Sequence, residues 1–168
     1  LGAWPAEGGK ADAARKAGFT NELGVESGVR FLRNLPGGWL LEQCRSSWGD
    51  VETTELLAAA EALPPGPTVD LSDPALLHPA DMAAALAGAA GLGASASPSA
   101  VTRCIVDSLA AGTAEVLDQL GGVTSLRIFG GLSRWALLRR RIADVAGVAV
   151  QVGPVEATVL GNALVQGI

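Results

Sequence analysis

Residues 126–166 read LRIFGGLSRWALLRRRIADVAGVAVQVGPVEATVLGNALVQ. The run Ser125 to Phe129 is short and apolar, as in a buried strand. From Arg134 to Ala146 the residues Trp135, Leu138, Ile142 and Val145 recur at steps of three and four, which predicts a helix. Gly147 supplies a left-handed stop, Val148 to Val152 reads as a second strand, and Pro154 opens a final helix through about Gln166. Strand, helix, strand, helix in so short a span predicts a parallel pair joined by a right-handed crossover, hence an α/β fold. Ligands of such sheets bind beyond the carboxyl ends of the strands, which places the turns at Gly130 and Gly153 together on one rim.

Upstream, the strongest helical pattern spans Pro98 to Leu120, with Val101, Ile105, Leu109, Gly112, Val116 and Leu120 on one face. The run GLGASASPSA before it is a flexible linker, preceded by an Ala-rich helix expected from Pro79 to about Ala90. A helix from Val51 to Leu63, with Asp50 as N-cap and Leu56, Leu57, Ala60 and Leu63 as its apolar stripe, is stopped by Pro64-Pro65-Gly66-Pro67. Another begins at Trp39, with Leu40, Gln43 and Cys44 beside it on one face, and ends by Gly49. Alternation within Gly28 to Asn34 predicts a half-buried strand. The opening through Glu22 reads as loop, with at most a strand remnant at Leu1 to Trp4. No internal repeat is visible, and 168 residues fit one domain.

A hydrophobic share of 49% with 17% charged residues is the composition of a chain with a real core. The net charge of -5 weighs against nucleic acid and anionic membrane as partners, since both are held by Lys and Arg. Cys44 and Cys104 are far apart and belong to no metal-binding cluster, so two buried thiols in a reducing cytosol are expected. The first residues lack the basic start and apolar run of a secretory signal, in keeping with a cytoplasmic location.

The turn Gly130-Gly131-Leu132-Ser133 leaves a strand and enters a helix, so its amides could face a phosphate or a sugar; its plainer role is a tight turn with Ser133 as N-cap. Neither GxGxxG nor GxxxxGK[ST] occurs, which argues against a dinucleotide site and a P-loop. Glu156 suits the first turn of the last helix as an acid on the dipole. His78 lies in a loop with no serine or cysteine arrangement about it. Arg139-Arg140-Arg141 is expected to face water, and Trp39 and Trp135 to pack in the core. Asp70, Asp73 and Asp81 have no calcium-loop spacing. No catalytic residue and no metal ligand is assigned.

Three segments carry a family resemblance: FTNELGVESGVRFLRNLPGGWLLEQC at 19–44, RCIVDSLA at 103–110, and the stretch at 126–166. In this order they resemble the C-terminal domain of the FGGY carbohydrate kinases, most closely the rhamnulokinase branch. The resemblance covers nearly the whole chain. It implies an actin-like, ribonuclease H-like lobe with a mixed sheet flanked by helices, the nucleotide-side half of an ATP-dependent kinase that uses magnesium. The implied reaction phosphorylates a ketose, foremost L-rhamnulose to L-rhamnulose 1-phosphate in rhamnose metabolism, with fuculose, xylulose or glycerol as alternatives. By position, Asn34 matches a substrate-binding asparagine, and Gly130 and Gly131 match a turn whose backbone meets ATP. Glu42 stands where a nucleotide-binding glutamine is expected, bringing a charge that would repel phosphates, and Leu132 replaces a third glycine. The family's phosphate turn and catalytic aspartate belong to regions that these residues do not contain, so residues 1–168 are expected to be one lobe, inactive without its N-terminal partner lobe. A non-catalytic nucleotide- or sugar-binding remnant, or a protein-interaction domain, is the other reading.

Overall fold

The computed structural model describes residues 1–3, 15–24 and 28–167. Its strands are β1 (Gly2–Ala3), β2 (Phe19–Leu23), β3 (Val29–Arg33), β4 (Ser125–Ile128) and β5 (Ala149–Val152). Its α-helices are α1 (Trp39–Ser47), α2 (Thr53–Glu61), α3 (Met82–Ala89), α4 (Pro98–Leu120), α5 (Ala136–Ala146) and α6 (Ala157–Gln166). Short 3-10 turns at Pro74–Leu76 and Gly131–Arg134 complete the order.

The expected β4-α5-β5-α6 unit is present. β4 and β5 pair in parallel with Ser125 opposite Ala149 and Ile128 opposite Val152. The two turns beyond their carboxyl ends do meet: the Gly130 amide donates to the Pro154 carbonyl at 3.3 Å and the Gly153 amide to the Ile128 carbonyl at 2.8 Å. A Cβ at Gly153 would lie 2.2 Å from the Phe129 ring, so a side chain there would have to displace that ring. Gly147 is left-handed as expected, at φ 66° and ψ 25°.

The sheet differs from expectation. In place of one mixed sheet, the described strands form an antiparallel sheet in the order β1-β3-β2 and a separate parallel pair, β4-β5. Both described residues of β1 are engaged to β3, and a cleft bordered by Gly2 and Ala3 on one side and Ser125 and Arg127 on the other lies between the two sheets. Trp4, the expected end of the first strand, lies outside the described residues. β2 stands where the sequence reads as loop. It buries only Phe19, whose ring stacks on Phe31 at 4.5 Å between centroids, and it exists because β3 offers it a partner edge.

Helix boundaries shift where side chains take the capping role. Asp81, rather than Pro79, starts α3, its carboxylate accepting from the Ala84 amide at 3.1 Å. α2 begins after Glu52 with no side-chain cap, while Asp50 sits in the turn before it at φ 56°. Trp39 is 46% exposed because α1 buries the face of Leu40, Leu41 and Cys44 instead. On α5, Trp135, Leu138 and Ile142 are buried as expected, whereas Val145 is exposed and Leu137 replaces it.

The core forms around α4, about 35 Å long at 1.5 Å per residue. Ser97 caps it through its hydroxyl, and Val101, Cys104, Ile105, Val106, Leu109, Ala110 and Val116 are buried along it. It also buries ions. Asp107 is 3% exposed and Arg103 6% exposed at the side chain, joined from Nε to Oδ2 at 2.7 Å. The same Oδ2 accepts from the Gly66 amide at 2.8 Å, and Oδ1 accepts from Arg141 Nε at 2.6 Å. Arg103 Nη1 then reaches the Leu63 carbonyl at 2.7 Å. The arginine run is thus not a free solvated face: Arg139 binds the Ser133 carbonyl, Arg140 pairs with Glu61, and Arg141 with Asp107.

Burial pushes the Asp107 carboxyl towards its neutral form, but the hydrogen bonds from Arg103, Gly66 and Arg141 outweigh it and hold the pKa below the ordinary 3.8. A depressed native pKa gives stability that is complete above the unfolded value and is lost as pH falls through the native one. Asp107→Ala should therefore cost about 3 to 5 kcal/mol in urea unfolding at pH 7, because it leaves two arginines facing an empty site. The gap between the variant and the parent should close as the pH is taken below 3.8; a constant gap would contradict this account.

Candidate nucleotide site

α1 begins after Gly38, and its buried face turns Glu42 outward, 61% exposed at the side chain. Both Glu42 oxygens take Arg45 Nη1, at 2.8 and 3.1 Å, an i,i+3 pair on one helix. Arg45 is fixed in turn by the loop that follows: its Nε donates to the Val51 carbonyl at 2.7 Å and its Nη2 to the Asp50 carbonyl at 3.4 Å. Glu42 thus stands on the wall paired with Arg45 and not as a lone carboxylate.

The Gly131–Arg134 turn forms the facing wall. Its closure rests on Ser133, whose hydroxyl donates to the Gly130 carbonyl at 2.6 Å and whose amide reaches the same oxygen at 3.0 Å. Ser133 is therefore a buried turn lock and not the N-cap of α5, which is Trp135. Between the walls lies a cavity of about 480 Å³ bordered by Gly38, Glu42, Thr53, Thr54 and Leu57 on one side and by Gly131, Leu132, Arg134 and Trp135 on the other.

The two glycines of the turn differ. Gly130 has φ 74° and ψ -163°, a backbone that side chains rarely adopt. Gly131 has no positive φ, and a Cβ built on it would meet nothing within 4 Å. Packing among the described residues gives no reason for a glycine at 131. Leu132 does not fill the cavity alone, because Gly37 and Gly38 make room for it: its methyls lie 3.6 and 3.3 Å from the Cβ positions they leave vacant. Gly38 also lets Trp135 approach, 3.2 Å from its own missing Cβ.

Asn34 lies apart from these residues. It borders a larger cavity, of about 680 Å³, beside Arg33, Asp70, Ser72 and Glu115. Ser72 holds the Asp70 carboxyl below its usual range through its hydroxyl and amide, at 2.6 and 2.8 Å. Arg33 binds Glu115 and Gln119. Glu42 and Gly131 thus share one cavity, and Asn34 belongs to another. His78 is exposed.

The loop carboxylates are all used locally: Asp70 by Ser72, Asp73 by the Ala75 amide, Asp81 by the Ala84 amide. Among the described residues no three His, Cys, Asp or Glu converge, so they build no magnesium cage of their own. Cys44 and Cys104 are free and buried, and burial, with the nearby Asp81 charge, pushes the Cys44 thiol up to about 12. No described helix is long and apolar enough to cross a membrane.

Sequence reasoning missed Arg45, Thr53 and Thr54. The spacing of Glu42 and Arg45 was the available signal for the first; nothing local marked the threonines, which at the start of α2 line the same cavity as Glu42.

The sequence pattern of the C-terminal domain of the FGGY family of carbohydrate kinases matches residues 7–168. The chain belongs to this family, as its C-terminal domain. It is similar to the rhamnulokinase of Bacteroides thetaiotaomicron, 35% identical over 180 residues that take in 98% of this chain and 37% of the relative. It is 38% identical to a rhamnulokinase of Klebsiella pneumoniae over 164 residues, 92% of this chain and 34% of that one. The chain spans about a third of the length of these curated relatives.

The glycine contrast is measurable as stability. Gly38→Val should lose about 1 to 3 kcal/mol in urea unfolding by driving Trp135 and Leu132 off the α1 terminus. Gly131→Val should stay within about 0.5 kcal/mol of the parent. Equal losses would mean that Gly131 serves the fold.

Proposed function

We propose that this chain is the nucleotide-side lobe of an ATP-dependent carbohydrate kinase with an actin-like fold, whose whole polypeptide acts in the cytoplasm and phosphorylates a ketose. L-Rhamnulose is the favoured sugar, since the relatives above are rhamnulokinases. The observation that carries the reading is the cavity in which Glu42 and the bare Gly131 backbone face one another from distant parts of the sequence.

Phosphoryl transfer needs positioning, charge stabilisation and a base for the attacking hydroxyl. Gly131 lets the backbone approach a nucleotide, Leu57, Leu132 and Trp135 offer it apolar surface, and Arg134 adds a cation at the wall. Asn34, in the separate cavity beside Arg33 and Asp70, is assigned to the sugar. Glu42 is the cavity's only carboxylate among the described residues and is held by Arg45, so it is no base. The base and the remaining ligands of magnesium are assigned to the N-terminal lobe, and this lobe alone should bind nucleotide without turnover.

The non-catalytic reading has one observation in its favour. α6 buries none of its residues, and Val159, Leu160, Leu164 and Val165 stand exposed, as on a face that meets other polypeptide.

ADP release from ATP and magnesium by the full-length polypeptide, offered L-rhamnulose beside L-fuculose, D-xylulose and glycerol, separates these readings. Turnover with preference for rhamnulose is expected, and Gly131→Val should raise KM for ATP about tenfold or more. Folded protein that turns over none of the four sugars would select the non-catalytic reading.

A further inference from the structure

We infer that Arg139 is a positioning residue: through the Ser133 carbonyl its guanidinium fixes the Gly131–Arg134 turn, and with it the backbone that the turn presents to a ligand. The inference rests on the nucleotide reading of the cavity and adds to it a residue that lines no part of that cavity.

The turn is too short to satisfy its own backbone. The Gly130 carbonyl takes the Ser133 amide and hydroxyl, at 3.0 and 2.6 Å, and the Leu132 carbonyl takes the Trp135 amide at 3.0 Å. The Ser133 carbonyl has no part in these bonds. α5 does not take it up either, because Trp135, at φ -81° and ψ 88°, leaves the helical path, and the ladder starts with the Arg139 amide on the Trp135 carbonyl at 3.1 Å. The described donor to the Ser133 carbonyl is Arg139 Nη1, one turn into the helix. Ser133 is 2% exposed, and a buried carbonyl without a donor carries the full cost of its desolvation. To find another donor the turn would rotate the peptide between Ser133 and Arg134, and Arg134 and Gly131 both line the cavity. Misplacing a wall by about 1 Å is enough to weaken what it holds.

The arginine run divides its tasks. Arg140 pairs with Glu61, and Arg141 with Asp107 and Asp144, whereas the bond described for Arg139 goes to a neutral carbonyl. Its part is therefore to donate at a set place, and its charge is incidental. A carbonyl requires an N–H at the end of a long stem, so lysine should serve in part, and methionine, which has no donor, should not.

The test is calorimetric titration of the full-length polypeptide and its variants with ADP and with adenosine, after circular dichroism has shown each to be folded. Arg139→Met should weaken both ligands about tenfold, and Arg139→Lys should recover affinity to within about threefold of the parent. Arg139→Gln, too short to reach the carbonyl, takes the place of Arg139→Met should that variant fail to fold, with the same loss expected. Arg140→Met, on the same helix but in an exposed pair, should stay within about twofold. A loss confined to ADP would mean that the charge acts on phosphate, and an equal loss in Arg140→Met would mean that the helix as a whole is disturbed; either overturns the inference, as does unchanged affinity in Arg139→Met. These three outcomes leave the nucleotide reading intact. Folded parent that binds neither ADP nor adenosine overturns both.

Discussion

The Asp107 carboxylate is the constraint on which the site depends. It sits at 3% exposure in the middle of α4, and a charge there is tolerable only because Arg103, Arg141 and the Gly66 amide all donate to it. These partners come from three places. Arg103 carries the connection on to the Leu63 carbonyl just past the end of α2, Gly66 belongs to the proline-rich segment after it, and Arg141 lies on α5. One buried anion therefore holds α2 and α5 at fixed positions on α4.

Those two helices bring the opposite walls of the cavity. α2 contributes Thr53, Thr54 and Leu57, while the turn into α5 contributes Gly131, Leu132 and Trp135. The ion cluster thus ties to α4 the two helices that carry these walls, and none of its members lines the cavity. Arg45 repeats the arrangement on a smaller scale, joining Glu42 to the loop between α1 and α2. The Gly37-Gly38 pair and Leu132 form a third such device, with a bulky side chain on one wall accommodated by missing side chains on the other.

Local pattern reading succeeded where a feature is encoded within a few neighbours. The apolar periodicity of Pro98 to Leu120, the left-handed Gly147 and the pairing of short apolar runs at 125–128 and 149–152 all express the geometry of single elements. It failed where a partner far along the chain decides. Phe19 to Leu23 is a strand through its pairing with β3, and Arg139 to Arg141 are bonded residues because Ser133, Glu61 and Asp107 lie within reach. The exchange of Trp39 for Leu41 on the buried face of α1 is of the same kind, since periodicity gives the stripe but not its rotation towards the core.

By itself the sequence determined an α/β domain, the order of its helices and the juxtaposition of the Gly130 and Gly153 turns, because helix periodicity, glycine stereochemistry and the crossover rule act locally. The motif order and the match over residues 7–168 likewise fixed its membership of the FGGY kinases as a C-terminal domain. Only the tertiary structure decided that Glu42 shares a cavity with Gly131 and that Asn34 does not. It also decided that Glu42 pairs with Arg45, that a side chain at Gly131 would meet no described residue, and that the described strands divide into two sheets. These are relations between residues far apart in the chain, fixed by burial and by the need to pair a buried charge, and no local pattern carries them.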